Sequence, residues 1–188
     1  MAANLERRPI SVDEYYRMGE TGILAPREHV ELLRGDIVAM PPKGERHRGT
    51  VNRLNRLLTL KFADSAHVQI QCPVVLLGDS VPEPDVAIIN SADAAFGKRR
   101  TGASDLVALL EVAESSRERD TGFKAFLYAE AGVREYWVVD LVDKVVRIYR
   151  DATPSGYRSI TSAATGSSIA LEAFPDREIS VAALLPEE

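Results

Sequence analysis

Residues 106–137, LVALLEVAESSRERDTGFKAFLYAEAGVREYW, form the stretch that decides the fold. The first eight residues are apolar except for Glu111, which is typical of a central strand covered on both faces. After a polar connection, apolar residues recur at helical spacing from Phe123 to Ala131, and Gly132 ends the pattern. The stretch therefore predicts a buried strand, then a helix, then a further strand.

A carboxylate at the buried position of Glu111 needs a compensating partner. Burying an unpaired carboxylate is so costly that the group either becomes protonated or finds a partner. A cation, a metal ion or strong hydrogen-bond donors should therefore lie beside Glu111, and a structural salt bridge would satisfy it equally well. In the predicted helix, Asp120, Lys124 and Tyr128 share one face, and this spacing fits either a surface ion pair or a braced catalytic lysine.

A second acid opens the preceding strand. Residues 82–89 read PEPDVAII, so two prolines hold the backbone extended and Asp85 begins a buried strand. Residues 68–77 predict an earlier strand that is interrupted or bent near Pro73. Residues 90–104 predict a loop.

The N-terminal third predicts a short helix over residues 11–18 that opens with a capping box, a β-hairpin of residues 30–33 and 36–40, and an amphipathic helix over residues 48–62. Glu31 lies in the first hairpin strand, where a glutamate usually points to solvent. His47 lies just before the second helix, where a neutral cap or surface role is expected.

The C-terminal third predicts strands over residues 134–140 and 144–149, a hairpin of residues 157–160 and 168–171, and a closing helix over residues 180–185. Trp137 and Tyr149 are expected in the core. The element order predicts one α/β domain with an α+β mixed sheet, over residues 10–188 after a lead-in of residues 1–9.

Composition limits the class of protein. A chain of 188 residues with 45% hydrophobic and 27% charged residues fits a single soluble domain. Cys72 is the only cysteine, which excludes an intramolecular disulfide, and no run of membrane-spanning length is present, so a cytoplasmic location without membrane association is expected. The net charge of −5 argues against coating nucleic acid through bulk electrostatics.

Two local basic clusters are nevertheless visible, and ordinary solvated surface charge compensated by acids is the expectation for both. They are Lys43, Arg46, His47, Arg48, Arg53 and Arg56, and Lys98, Arg99 and Arg100.

Asp85, Glu111 and Lys124 together supply the groups that phosphodiester hydrolysis needs. Two carboxylates on strand ends can ligate Mg²⁺ or Mn²⁺ and leave positions for water and phosphate. A nearby lysine can orient or deprotonate the metal-bound water, or neutralise charge that develops on the phosphate.

The chain resembles the bacterial family of putative restriction endonucleases in the PD-(D/E)XK nuclease-like superfamily, over roughly residues 11–185. The matching stretches are VELLRGDIVAMPP, the His47-led helix, VPEPDVAII, LLEVAESSRERDTGFKAFLYAEAGVREYWVVD and VVRIYR. The resemblance implies a restriction-endonuclease-like core with flanking helices and extra C-terminal strands. It further implies Asp85 and Glu111 as metal ligands, Lys124 as catalytic lysine and Glu31 as an auxiliary acid.

One position departs from the superfamily pattern, in which the lysine stands two residues beyond the second acid. Ala113 occupies that position here. Lys124, on the following helix, fits a catalytic lysine that has moved from this position. Lys98 is the alternative candidate for the catalytic lysine. The resemblance also strengthens a role for His47. Gln69 and Gln71 lie on the strand before PEPD and can touch the site, but polar positions on a sheet face are the stronger interpretation of both.

These observations predict a Mg²⁺- or Mn²⁺-dependent DNA endonuclease. The alternative is a nucleic-acid-binding or assembly module that retains the fold with little catalysis, and a third interpretation treats the three charged residues as a structural ion-pair cluster. Resemblance and the apolar content of the last strands also favour a homodimer, without indicating its interface.

Overall fold

The computed structural model describes residues 7–26, 28–90 and 98–186. The helices are α1 (Val12–Glu20), α2 (Glu45–Phe62), α3 (Ala125–Glu130) and α4 (Val181–Leu184), with a π-helical segment (Arg119–Lys124) directly before α3. The strands are β1 (Val30–Leu33), β2 (Asp36–Ala39), β3 (Ala66–Ile70), β4 (Val86–Asn90), β5 (Leu106–Ala113), β6 (Glu135–Asp140), β7 (Val145–Thr153), β8 (Gly156–Ala164), β9 (Ser168–Ile169) and β10 (Ile179–Ser180). This set of elements confirms a mixed α+β domain.

A six-stranded sheet in the order β3-β4-β5-β6-β7-β8 forms the centre of the fold. Neighbouring strands are antiparallel except for β5 and β6, which run parallel. Parallel neighbours need a crossover connection, and the π-helical segment with α3 provides it. The crossover leaves the sheet just beyond Glu111, so its side chains can return over the end of β5.

Helices cover both faces of the sheet. On one face, α2 buries Leu54, Leu58 and Phe62 completely and packs with α4 in the larger hydrophobic cluster. On the other face, α3 contributes Tyr128 to a second cluster. A sheet covered on both sides explains why β4 and β5 are nearly continuous apolar runs. Trp137 and Tyr149 are buried, as predicted.

The N-terminal elements confirm the predicted helix and hairpin. Ser11 caps α1 in a capping box with Glu14, and β1 pairs with β2 through a turn at residues 34 and 35. Gly35 lies at φ 76°, and a Cβ there would come within 2.4 Å of Pro9, so the turn requires glycine. No helix in the described part of the chain is long and apolar enough to cross a membrane.

Two predicted details differ in the structure, and a third lies partly outside the described residues. The second helix begins at Glu45 rather than near residue 48, because Gly44 takes the extended N-cap conformation after two prolines, so His47 lies inside the helix. Strand β3 ends at Ile70, where Gln71 turns the backbone to φ 50°, slightly before Pro73. Of the predicted loop at residues 90–104, residues 91–97 lie outside the described residues.

The C-terminal hairpin prediction was wrong in its pairing. Strand β7 continues to Thr153, and the chain reverses before Gly156, so that β8 pairs along its whole length with β7. Strand β9 pairs instead with β10. A nine-residue partner on an already formed sheet offers more ladder hydrogen bonds than the short segment at residues 168–171.

Candidate active site

The two predicted acids meet at the junction of β4 and β5. Because these strands are antiparallel with Val86 opposite Leu110, Asp85 and Glu111 lie side by side. The Asp85 backbone N–H donates to Glu111 Oε2 at 3.2 Å, and the Val112 N–H donates to Asp85 Oδ2 at 2.9 Å. Both carboxylates are buried. Backbone hydrogen bonds therefore fix the position of each acid.

Lys124 lies against Glu111 and against Glu31 of the hairpin. Its Nζ donates to Glu111 Oε1 at 2.9 Å and to Glu31 Oε1 at 2.8 Å, and only 2% of the residue is exposed. Tyr128 OH, one turn further along the crossover helix, donates to the same Glu111 oxygen at 2.8 Å. Lys98, the proposed substitute, is exposed to solvent.

Glu31 does not point to solvent, contrary to the usual expectation for a strand glutamate. It is completely buried, and its Oε1 accepts hydrogen bonds from Lys124 and from the backbone N–H of Glu83, at 2.9 Å for the latter. The strand-end turn of residues 82–85 and the crossover helix both pack on this hairpin strand. Both donors bind Oε1, and Oε2 has no hydrogen-bonding partner among the described residues.

Asp85 is held by two further side chains. His47 Nε2 lies 2.9 Å from Asp85 Oδ2, and Gln71 Nε2 donates to Asp85 Oδ1 at 3.2 Å. His47 is therefore a buried neighbour of the site rather than a surface cap. Gln71 thus touches the site, although the sequence favours a polar position on a sheet face, while Gln69 lies on β3 opposite Ala87.

The site is strongly anionic for a buried location. Burial, together with the charges of Asp85, Asp120 and Glu31, raises the pKa of Glu111 to about 8 against the opposing effect of Lys124. Burial likewise raises the pKa of Asp120 to about 6. Burial disfavours the charged form of Lys124, but Glu111, Glu31 and Asp120 hold its pKa above the usual value. One buried lysine therefore stands among four acids.

Asp85 behaves differently from Glu111. Burial would raise its pKa, but the hydrogen bonds from His47 and Val112 and the charge of Lys43 lower it to about 2. Asp85 is thus ionised at neutral pH, whereas burial and the neighbouring acids favour the protonated form of Glu111 by raising its pKa. This difference between adjacent acids is typical of sites where environment assigns distinct roles.

The family comparison extends over most of the chain. The profile of the Uma2 family, described as "Putative restriction endonuclease", matches residues 12–182. This chain belongs to the Uma2 family. The matched range includes both acids, Lys124 and Glu31. No curated protein matches the chain.

A solved structure supports the fold of this Uma2 protein. A crystal structure of a "putative nuclease belonging to DUF820" from Anabaena variabilis is similar with a TM-score of 0.74 and 14% identity, and the match covers 94% of this chain and 97% of that one. The type IIG restriction endonuclease BpuSI matches 66% of this chain and 14% of its own length, with 15% identity and a TM-score of 0.39. The first likeness confirms the predicted restriction-endonuclease-like fold.

A pocket opens over the carboxylates. It is lined by residues 40–44, by residues 114–116, and by His47, Glu83, Asp85, Glu111, Arg119, Asp120 and Lys124. Within the described ranges, no three metal-binding side chains converge into a preformed cage. Asp85 and Glu111 can still hold Mg²⁺, which is usually bound through one or two carboxylates and keeps several water ligands. The anionic surplus also favours a divalent cation.

Most members of the two predicted basic clusters are neutralised by acids. Arg48 pairs with Glu45, Arg99 with Asp105, and Arg100 with Asp13, as ordinary surface charges do. Arg46 lies 3.7 Å from a Glu114 carboxylate oxygen and donates to the Leu141 carbonyl. Lys43 differs from these arginines because it lines the pocket.

Sequence reasoning did not assign a site role to Tyr128 or Arg119. The four-residue spacing from Lys124 to Tyr128 was a usable signal, since it places both on one helix face. Arg119 carried no comparable signal. It is the first residue of the π-helical segment, and π-helical turns are often found at functional sites.

Proposed function

We propose that the protein is a metal-dependent endonuclease that hydrolyses phosphodiester bonds in DNA. The contact of Lys124 Nζ with both Glu31 and Glu111 carries the proposal, because it brings a relocated lysine to the acid that lies beside Asp85. Membership of a family described as restriction endonucleases supports DNA as the substrate.

In this proposal Asp85 and Glu111 would hold Mg²⁺ or Mn²⁺. The bound ion would supply Lewis-acid stabilisation of the phosphate and a lower pKa for its water ligand. His47, Gln71 and the Val112 N–H orient the Asp85 carboxylate, and their donors keep it ionised. Such supporting hydrogen bonds set the direction of a metal ligand.

Lys124 acts as a cation rather than as a base. Its raised pKa keeps the ammonium protonated at neutral pH. An ammonium has three N–H donors, and Glu31 and Glu111 take two of them. The third can position the attacking water or contact a phosphate oxygen, which stabilises the charge of the transition state. Glu31 aims the lysine and serves as the auxiliary acid.

The second candidate function is a nucleic-acid-binding or assembly module with little catalysis. One observation favours it, since Lys124 forms ion pairs with both Glu31 and Glu111 inside the protein, as in a purely structural cluster. This candidate predicts salt-dependent DNA binding that survives loss of Asp85, with no metal-dependent cleavage. A purely structural cluster would moreover bind neither Mg²⁺ nor Mn²⁺ in calorimetry.

A cleavage assay separates these functions. Single-stranded, duplex and branched DNA are incubated with Mg²⁺ or Mn²⁺ and with the wild type, Asp85→Asn, Lys124→Ala or Lys98→Ala. We expect metal-dependent cleavage by the wild type and Lys98→Ala, and a loss of roughly 10²–10⁴-fold in the other two variants. Thermal unfolding verifies that each variant is folded. Cleavage that persists in both site variants would contradict the proposed function.

A further inference from the structure

Three buried polar atoms without a partner cluster at the candidate active site. Among the described residues, Glu31 Oε2, His47 Nδ1 and Arg119 Nε are buried and have no hydrogen-bonding partner within the protein. His47 and Arg119 line the pocket, and Glu31 binds Lys124 beside it. Each unpartnered buried group costs about 1–3 kcal/mol. Their occurrence in one place indicates a site shaped for a ligand.

Arg119 brings an uncompensated guanidinium to this pocket. It opens the π-helical segment, its side chain is 28% exposed, and its nearest acid is Asp120 at 3.9 Å from Nε, the outer limit of an ion pair. Arg150, whose side chain is similarly half-buried, is by contrast paired closely with Glu135 at 2.6 Å. Arg119 therefore keeps hydrogen-bonding capacity for something that enters the pocket.

Lys43 brings a second cation from a different segment, the turn that leads into α2. Its Nζ lies 3.5 Å from Glu83 Oε1 and 3.5 Å from Asp85 Oδ1, distances longer than a good charged hydrogen bond. The side chain is about one quarter exposed. An ammonium held this loosely can turn toward an incoming anion without breaking a strong bond.

We propose that Lys43 and Arg119 form a phosphate-binding pair that takes a backbone phosphate of the DNA strand entering this pocket. The inference rests on the proposed function, because it concerns the substrate of the same site. A phosphodiester has two non-bridging oxygens that cationic donors can hold, and it would otherwise be repelled by the acids below. Arginine offers a planar fork and lysine a mobile point charge, which suit one phosphate jointly.

The test counts ionic contacts rather than activity. Fluorescence anisotropy measures binding of a short labelled single-stranded DNA to the full chain in EDTA, over a series of salt concentrations. Lys43→Ala and Arg119→Ala should each lower the slope of log K against log salt by about 0.7. Arg119→Lys should retain most of the slope. Arg158→Ala, at an exposed arginine paired with Asp151, is the matched control and should retain all of it.

A second strand with neutral methylphosphonate linkages identifies the ligand group. Wild type and Lys43→Ala should bind this strand equally, since it has no charged phosphate oxygen to hold. Wild-type slopes in both alanine variants would overturn the inference even if the wild type cleaves DNA, and so would failure of the wild type to bind DNA. Reduced slopes without any metal-dependent cleavage would uphold the phosphate pair and overturn the nuclease.

Discussion

Metal binding should release a proton from Glu111, and this coupling makes the affinity for Mg²⁺ or Mn²⁺ depend on pH. In the metal-free protein, burial and neighbouring acids raise the pKa of Glu111 from 4.5 to about 8. A metal ligand must be deprotonated, so the ion has to displace this proton at neutral pH. Asp85, whose pKa is about 2, contributes no such requirement.

The size of this pH dependence follows from the pKa shift of Glu111. Keeping Glu111 ionised in the metal-free fold costs about 5 kcal/mol relative to an unshifted carboxyl. Below the raised pKa, each pH unit weakens apparent metal affinity about tenfold. Affinity near pH 6 should therefore be roughly 100-fold below its plateau, which is reached above the pKa of about 8.

Isothermal titration calorimetry in two buffers of different ionisation enthalpy measures both the metal affinity and the number of protons released. We expect about one proton released per metal ion near pH 6.5, and almost none near pH 9. Asp120→Asn removes one of the charges that raise the Glu111 pKa, so the plateau should begin at a lower pH in this variant. Equal metal affinity across this pH range without proton release would refute the assignment of Glu111 as a metal ligand that is protonated before the ion binds.

Three further predictions concern the same residues. Without metal, the folded state holds a proton on Glu111 that the unfolded chain releases near its ordinary pKa of 4.5. The free energy of unfolding in urea should therefore fall by about 2 kcal/mol between about pH 6.5 and 8.5. Glu111→Gln should abolish this fall. Lys124→Met leaves Glu31 and Glu111 without their cation and should lower the free energy of unfolding by about 3–5 kcal/mol. An unchanged urea midpoint would show that the ion pairs contribute nothing to stability. Tyr128→Phe removes a hydrogen-bond donor to Glu111. It should cost about 1.5–3 kcal/mol of stability near pH 9, where Glu111 is ionised, but less near pH 6. Equal losses at both pH values would contradict that contact.

Local pattern was sufficient for the elements that lie in the core. A lone acid in an eight-residue apolar run predicts β5 and marks Glu111 as exceptional, because a doubly covered strand tolerates no unpaired charge. The same logic places Asp85 at the start of β4. Local pattern was insufficient for β8, because its pairing with β7 depends on how far β7 extends and on which sheet edge is open.

Glu31 shows most clearly why part of the site was beyond local reasoning. A four-residue strand in a hairpin does not reveal which face other elements will cover, so exposure was the reasonable expectation. The structure buries Glu31 because Lys124, 93 positions further along the chain, comes from the crossover helix to meet it. His47 is similar, since its contact with Asp85 joins residues 38 positions apart.

Local sequence pattern was enough to predict most of the helices and strands, a mixed sheet and the two acids at its centre, because periodicity and apolar runs are properties of neighbouring residues. Tertiary structure alone decided that Lys124 bridges Glu31 and Glu111, and that Glu111 has a raised pKa while the adjacent Asp85 has a lowered one. Both properties arise from burial and from charges on distant segments. Neither exists until the crossover helix, the hairpin and the sheet have packed together.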